Sequence, residues 1–178
     1  MKSQKSKVKS QKILENGFSM LELLIYMAIF SLISLGLINL ISTLNKGWVR
    51  SQVESEVQQN LRYATNLISQ DVKKARSVTL PTAGSSGETL DLDISGQSYQ
   101  YFLTGTTLQK KVGAGAAEDI TSNKVKVTDL DFYTFETSAP SNQQIQATTT
   151  QFYLKVEYNS ISPDFSYSQS ATSTAILR

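Results

Sequence analysis

Residues 16–24 read Asn-Gly-Phe-Ser-Met-Leu-Glu-Leu-Leu, and they lead into the apolar run LLIYMAIFSLISLGLINLISTL. This run, from Leu23 to Leu44, contains 22 residues and no charge. A helix of that length rises by roughly 33 Å, which is enough to cross a hydrocarbon core about 30 Å thick. We therefore predict a membrane-spanning helix over Leu23–Leu44.

The charges on either side of the run favour one orientation. Residues 1–17 contain five lysines and one glutamate, whereas residues 18–178 contain 12 basic and 14 acidic side chains. Lys46 and Arg50 follow the run, so the positive-inside bias is modest, but it favours an N-terminus in the cytoplasm. We expect a single-pass protein of the cytoplasmic membrane whose C-terminal part lies outside.

Two ordinary kinds of membrane segment, a secretory signal peptide and a plain signal anchor, are alternative interpretations of this pattern. A secretory signal peptide has an apolar region of only about 7–15 residues before an A-x-A-like site, and this run is longer and has no such site after it. A plain signal anchor fits the length. It leaves Glu22 unexplained, however, because a carboxylate at the edge of an apolar helix is costly without a positive partner.

The hexapeptide GFSMLE at residues 17–22 resembles the processing site of type IV pilins and type II secretion pseudopilins. The resemblance implies that prepilin peptidase cuts between Gly17 and Phe18 and methylates the new amine of Phe18. Glu22 would become the fifth residue of the mature chain. Its charge would then pair with the Phe18 amine of a neighbouring subunit and set the register of a filament, since the two charges neutralise each other in an apolar bundle.

Two further segments bear on the type of subunit. Residues 62–76, which read R-x4-L-x3-D-x3-A-R, and residues 174–178, TAILR, are similar to J-type minor pseudopilins and W-type minor pilins. Asn39 stands where shaft pilins often have a kinking proline, and the cysteine pair of many pilins is absent. The resemblance implies a minor subunit that initiates or tips a filament. The alternative is a single-pass, membrane-anchored extracytoplasmic binding module that does not polymerise.

The partners follow from the same resemblance. They are prepilin peptidase, other pilin or pseudopilin subunits, an inner-membrane assembly platform and the lipid membrane. The resemblance also implies that the mature subunit later joins an extracytoplasmic filament.

Beyond the apolar run, one helical stripe continues to about Arg76. Its apolar residues recur mostly every three or four positions, with polar residues such as Asp71 between them. The combined helix would be close to 60 residues long, and the downstream strands are the expected partner of its outer half. The stripe consists of Leu44, Trp48, Val53, Val57, Leu61, Ala64, Ile68, Val72 and Ala75.

After Pro81 the sequence changes to Thr, Ser, Gly and alternating apolar residues, which is typical of strands. We predict an α+β fold in which the long N-terminal helix, half transmembrane and half amphipathic, packs against an antiparallel β-sheet. The predicted strands are 90–94, 98–103, 108–112, 124–135 (bent near Asp129), 151–158 and 171–177, with loops at 79–86 and 138–149. The predicted segments are a cleaved leader 1–17, a transmembrane half 18–44, an amphipathic half 45–78 and a β-rich head 79–178.

The composition limits the chemistry that the chain can perform. It has no Cys and no His, so thiol nucleophiles, imidazole bases, disulfides and the usual zinc sites are excluded. The lysine-rich segment is confined to the leader, so a basic face for nucleic acid is not expected. Asp91 with Asp93, and Asp129 with Asp131, could converge as acid/base or metal pairs, but each alternates with apolar residues and is predicted to face solvent. We predict no enzyme activity, no cofactor, no metal site and no nucleic-acid partner.

Overall fold

The computed structural model describes residues 19–138, 146–161 and 165–177. It combines one long N-terminal helix with antiparallel sheets, and this confirms the predicted α+β, pilin-like architecture. The chain divides into two units, of which the first ends at Asn45 and the second begins at Lys46. We call the second unit the head unit.

Helix α1 spans Met20–Lys74, which is 55 residues. The carbonyl of Ser19 accepts the first hydrogen bond of the helix, from the amide of Leu23 at 3.1 Å, so Ser19 occupies the N-cap position. Lys73 and Lys74 lie in the last turn, where positive charge is favourable to the helix dipole. The helix ends at Lys74, two residues before the predicted end at Arg76.

The described residues of the head unit contain nine strands in two antiparallel sheets. The first sheet has the order β1-β3-β4-β5-β6 and the second has the order β2-β7-β8-β9. The strands are β1 (Ser77–Leu80), β2 (Ser85–Gly87), β3 (Leu90–Ile94), β4 (Gln97–Thr104), β5 (Thr107–Val112), β6 (Glu118–Asp119), β7 (Val125–Ser138), β8 (Gln146–Tyr158) and β9 (Ser168–Ile176).

The core lies where the outer half of α1 meets both sheets. The helix contributes one stripe, and each sheet contributes the alternate residues of its inner face. Phe132 and Phe152 are cross-strand partners on β7 and β8, with ring centroids 6.2 Å apart. The helix residues buried in this core are Val57, Leu61, Ala64, Ile68 and Val72, and the sheet residues include Leu90, Leu92, Tyr101, Leu108, Leu130, Leu154 and Val156.

The buried stripe is shorter at its beginning than the sequence pattern predicts. Leu44 and Trp48 belong to the predicted stripe, but their side chains are exposed, Trp48 to 84%. Burial begins at Val53, which is 4% exposed. The helical periodicity is the same on both sides of this boundary, so it does not indicate where the sheets begin to cover the helix.

Two predicted loops are partly wrong because short or polar strands lie within them. The segment 79–86 contains the end of β1 and the start of β2, which are edge strands of only four and three residues. In the segment 138–149, β7 reaches Ser138 and β8 begins at Gln146, while Pro140 lies outside the described residues. Strand β2 and the start of β8 read Ser-Ser-Gly and Gln-Ala-Thr-Thr-Thr, so they lack the apolar alternation that identifies a half-buried strand, and β1 is too short to establish it. The predicted bend near Asp129 is present as a register shift between Val127 and Asp129.

Candidate processing and assembly site

Glu22 lies in the first turn of α1, three residues after Ser19 at the N-cap position. A carboxylate there is stabilised by the positive end of the helix dipole, by about 0.3–1 kcal/mol at an exposed site. The spacing Ser-x-x-Glu is also that of a capping box. The hydroxyl of Tyr26, one turn further on, donates a hydrogen bond to Oε1 of Glu22 at 3.1 Å. The helix thus supplies local partners for this carboxylate within one chain.

Of the other predicted site residues, two lie outside the described residues and two lie within α1. Gly17 and Phe18, the predicted cleavage and methylation positions, lie outside the described residues. Leu23 and Leu44, the ends of the predicted membrane segment, both lie within α1, and their side chains are 59% and 58% exposed.

The surface of α1 between these two leucines is almost wholly apolar and exposed. In the described part of the chain, α1 is the one helix long and apolar enough to cross a membrane. Two of its hydroxyl groups are satisfied within the helix: that of Ser31 donates to the Met27 carbonyl at 2.8 Å, and that of Thr43 to the Asn39 carbonyl at 2.9 Å. Such internal bonds are what a hydroxyl needs in hydrocarbon, where water is absent.

Residues 14–38 match the family described as "Prokaryotic N-terminal methylation motif". The chain carries this methylation motif. The match covers the hexapeptide at residues 17–22 and the first 16 residues of the apolar run, and it supports the predicted resemblance to type IV pilins and pseudopilins. No curated protein and no solved structure matches the chain.

The methylation motif overlaps the beginning of the exposed apolar helix. Together the motif and the helix support membrane anchoring and a pilin- or pseudopilin-like structural subunit. They also imply processing by prepilin peptidase and assembly with other pilins. The motif does not extend into the head unit, so the chemistry of that unit is described from its own residues.

The head unit contains a buried ion pair that the sequence pattern does not reveal. Asp71, on α1, is 5% exposed. Its Oδ2 atom accepts one hydrogen bond from the Tyr101 hydroxyl at 2.5 Å and another from the Lys110 ammonium at 2.6 Å. The Lys110 nitrogen also lies 5.0 Å from the ring centroid of Tyr99 and 5.7 Å from that of Tyr101. We call these four residues the Asp71 cluster.

Strand pairing positions the Asp71 cluster. Tyr101 on β4 is the direct cross-strand partner of Lys110 on β5, so both side chains project from the inner face of the first sheet towards α1. An aromatic ring within about 6 Å of an ammonium adds a cation–π attraction. The cluster therefore joins the helix to the first sheet through charge-assisted hydrogen bonds that are largely shielded from water.

Asp71, which the sequence pattern counts among the polar residues between the stripe positions, is buried. Asp71 follows Ile68 by three positions, and it falls on the buried stripe beside Val72. Lys110 lies two positions after the buried Leu108, so its side chain is on the same, inner face of the strand. The signal that could have revealed the pair is that one acidic and one basic residue occupy core-facing positions. A buried charge requires a partner of opposite sign.

A second ion pair joins α1 to the loop before β7, and it is much more exposed. The Lys124 ammonium lies 2.5 Å from Oε1 of Glu56, and the Lys124 side chain is 56% exposed. The backbone amide of Ser122 donates to the side-chain oxygen of Asn60 at 2.9 Å nearby. This pair provides a surface control for the Asp71 cluster.

Of the two acidic pairs considered as metal or acid/base sites, Asp91 and Asp93 make hydrogen bonds within the β3–β4 hairpin. Asp91 accepts hydrogen bonds from Ser98 at 2.7 Å and from Gln100 at 3.1 Å across the β3–β4 hairpin. Asp93 accepts the amide of Gly96 at 2.8 Å, which closes the turn. Asp129 and Asp131 lie on the exposed face of β7. Among the described residues there is no group of three or more acidic side chains that could hold a metal ion.

The hydroxyl of Tyr101 is expected to make the head unit sensitive to alkali. Burial, followed by the hydrogen bond to Asp71, raises the pKa of this hydroxyl far above its ordinary value. A raised pKa contributes stability that is fully present below about pH 10 and is lost as the pH rises towards the folded-state pKa. The loss approaches about 1.4 kcal/mol per pH unit, because only the unfolded tyrosine ionises in that range.

Urea unfolding of the full chain in a non-ionic detergent, at pH 8 and between pH 10 and 11.5, checks this expectation. Tyr101→Phe should lower the stability at pH 8, because the Asp71 carboxylate loses a hydrogen bond, and it should flatten the decline above pH 10. Tyr133→Phe, on the exposed face of β7, is the matched control. Equal slopes for Tyr101→Phe and the wild type would contradict the assignment.

Proposed function

We propose that this chain is a minor pilin or pseudopilin, a non-enzymatic structural subunit that initiates or tips a type IV pilus-like or type II secretion filament. The observation that carries the proposal is the methylation motif at residues 14–38, with Glu22 in the first turn of an exposed apolar helix. Prepilin peptidase removes the leader 1–17 by cutting between Gly17 and Phe18. It then methylates the amine of Phe18.

The proposed organisation follows the order of the segments. Residues 18–44 anchor the precursor in the cytoplasmic membrane, with the leader inside the cell. The amphipathic half of the helix, predicted over residues 45–78, ends at Lys74, and the β-rich part that follows begins with β1 at Ser77 and lies outside. After processing, the inner-membrane assembly platform moves the subunit from the lipid into a filament with other pilin or pseudopilin subunits.

The role of a minor subunit rests on the segment 62–76 and on the last five residues, which are similar to J-type pseudopilins and W-type pilins. Two residues of the first segment, Asp71 and Ala75, are buried in the head unit. Their burial indicates that this segment attaches the helix to the sheets. Arg62 of the same segment is exposed, so it is available to a neighbouring subunit.

Glu22 is proposed to set the register of the subunit in the filament. In lipid, its carboxylate lies near the membrane edge, where the cost of the charge is lower than at the bilayer centre. In a filament, the same carboxylate enters an apolar helical bundle and an unpaired charge becomes strongly unfavourable. The cationic amine of a neighbour's Phe18 relieves this cost at one axial offset only.

Glu22→Val is expected to insert into the membrane and to be processed, yet to assemble poorly. The measurement is co-purification with sheared filaments or with the other minor subunits, at equal membrane levels of each variant. Glu22→Gln is the matched control, because it keeps a side chain able to cap the helix and accept the Tyr26 hydrogen bond but lacks the charge. A register role requires both variants to lose assembly.

The other outcomes separate the alternatives. If only Glu22→Val is defective, then Glu22 contributes to assembly by capping the helix and not by pairing its charge. If the chain is a membrane-anchored binding module that does not polymerise, both variants remove a costly charge and should be neutral or mildly favourable for insertion. Equal recovery of all three proteins with the filament would contradict the register role.

A further inference from the structure

Among the described residues, strand β9 forms one edge of the second sheet. Strand β9 has nine residues, and in the part of the chain that the structure describes its hydrogen-bonded neighbour is β8 alone. Its pairing with β8 runs without a register shift from Ser168 to Ile176. An edge strand of this length presents a row of free amide and carbonyl groups to any strand that can reach it.

The hydrogen-bond alternation identifies which groups point away from β8. The amide of Leu177 donates to the Thr148 carbonyl at 3.0 Å, and the amide of Tyr158 donates to the Tyr167 carbonyl at 2.9 Å. In an antiparallel pair the hydrogen-bonded residues alternate, so the odd-numbered residues of β9 bond to β8. The residues that direct their amide and carbonyl groups outward are Ser168, Ser170, Thr172, Thr174 and Ile176.

All five of these outward residues are exposed. None of them is charged, and β9 as a whole contains no Lys, Arg, Asp, Glu, Pro or Gly. Natural sheet edges are usually protected by charge, by proline, by a bulge or by shortness. Strand β9 has none of these protections.

The other edges of the described sheets are protected. Strand β1 has four residues and a register shift, and β2 has only three residues. Strand β6 consists of two acidic residues, Glu118 and Asp119. The part of β7 that β2 leaves uncovered carries Lys126, Asp129 and Glu136. The contrast singles out β9 as the edge suited to accept another strand.

We propose that β9 pairs in antiparallel fashion with β9 of a second copy of this chain, about a two-fold axis at Thr172. In this register Thr172 faces its own copy, Ser170 faces Thr174, and Ser168 faces Ile176. Every outward residue then meets another outward residue, which allows about ten backbone hydrogen bonds across the interface. The second sheet would continue from one molecule into the other.

A second copy fits this edge because the strand is complementary to itself. At a two-fold interface the same patch serves both partners, so a charged residue near the centre would meet its own like charge. The centre of β9 is Ser-Ala-Thr-Ser-Thr, residues 170–174, which brings no charges together. Cross-strand Thr–Thr and Thr–Ser pairs are favourable in sheets. On the inner face Ala171 would meet Ser173, and both are small enough for the strands to approach.

Disulfide trapping tests the register directly, because the chain has no cysteine of its own. In the full chain, purified in detergent, Thr172→Cys places two cysteines in a pair whose Cα atoms lie about 5.5 Å apart, within the range that a disulfide spans. Ser168→Cys is the matched control on the same strand, since its two copies would lie about 27 Å apart. Mild oxidation should give at least about tenfold more disulfide dimer for Thr172→Cys.

Two further variants separate the register from chance collisions in a micelle. Ser170→Cys and Thr174→Cys should cross-link readily when mixed and poorly when each is oxidised alone, and this result holds even if Thr172→Cys fails to fold. Equal dimer yields for Thr172→Cys and Ser168→Cys would overturn the proposal, as would protection of the β9 amides by another subunit without any dimer. The readout needs only two copies of the chain, so it does not depend on the proposed filament.

Discussion

Asp71→Ala is expected to lower the free energy of unfolding of the head unit by about 3–5 kcal/mol, the cost of breaking a buried ion pair by removing one partner. The substitution leaves the Lys110 ammonium, whose side chain is only 16% exposed, without its counter-charge. It also leaves the buried Tyr101 hydroxyl without its acceptor. Urea unfolding of the full chain in a non-ionic detergent, followed by the near-ultraviolet circular dichroism of the tyrosines, measures the loss.

Two controls identify the mechanism of this loss. Glu56→Ala removes the partner of Lys124 at the surface, where an ion pair contributes little, so its effect should be much smaller. The triple variant Asp71→Leu, Tyr101→Phe and Lys110→Met replaces the buried pair and the hydroxyl that depends on it by apolar groups of similar size, and it should regain most of the stability. If Asp71→Ala and Glu56→Ala cost the same, the Asp71 cluster is not the buried charge pair described above.

Gly17→Leu is expected to abolish processing, so that the precursor with its lysine-rich leader accumulates in the membrane. The proposed peptidase must bring the backbone on both sides of the scissile bond close to its catalytic groups, and a branched side chain at Gly17 obstructs that approach. Mass spectrometry of the membrane-extracted protein gives the result. The wild type should begin at a methylated Phe18, and the variant should retain residues 1–17.

The control for this experiment is a substitution on the other side of the bond. Ser19→Ala changes the capping residue of α1 but not the proposed scissile bond, and it should be processed to the same N-terminus as the wild type. A Gly17→Leu protein that is cut normally would contradict the proposed processing. A wild-type chain that retains its leader would favour the membrane-anchored alternative instead.

The long helix and most strands could be predicted because their patterns are local. The run from Leu23 to Leu44 is set by composition alone, and the strand at Leu90–Ile94 by strict apolar alternation. Strand β9 was predicted only from Ala171 onward, because its Ser and Thr residues give no such alternation. The strands β1, β2 and β6 are too short to have a pattern at all.

The Asp71 cluster was missed for a different reason. Asp71 and Lys110 are 39 positions apart, and each on its own looks like an ordinary surface residue. Their burial is decided by the packing of α1 on the first sheet, which no local pattern encodes. Glu22 is the opposite case, since its position in the first turn of an apolar helix can be read directly from the neighbouring residues.

The exposure of Trp48 gives the protein an optical probe of its surroundings. Trp48 is the single tryptophan of the chain, it lies only four residues beyond the apolar run, and 84% of its surface is open. Unfolding of the head unit would change the polarity around this indole very little, because it already faces solvent. Entry into a lipid interface, or coverage by a neighbouring molecule, would instead shift its emission to shorter wavelength. Fluorescence of the unlabelled protein can thus follow docking events separately from folding.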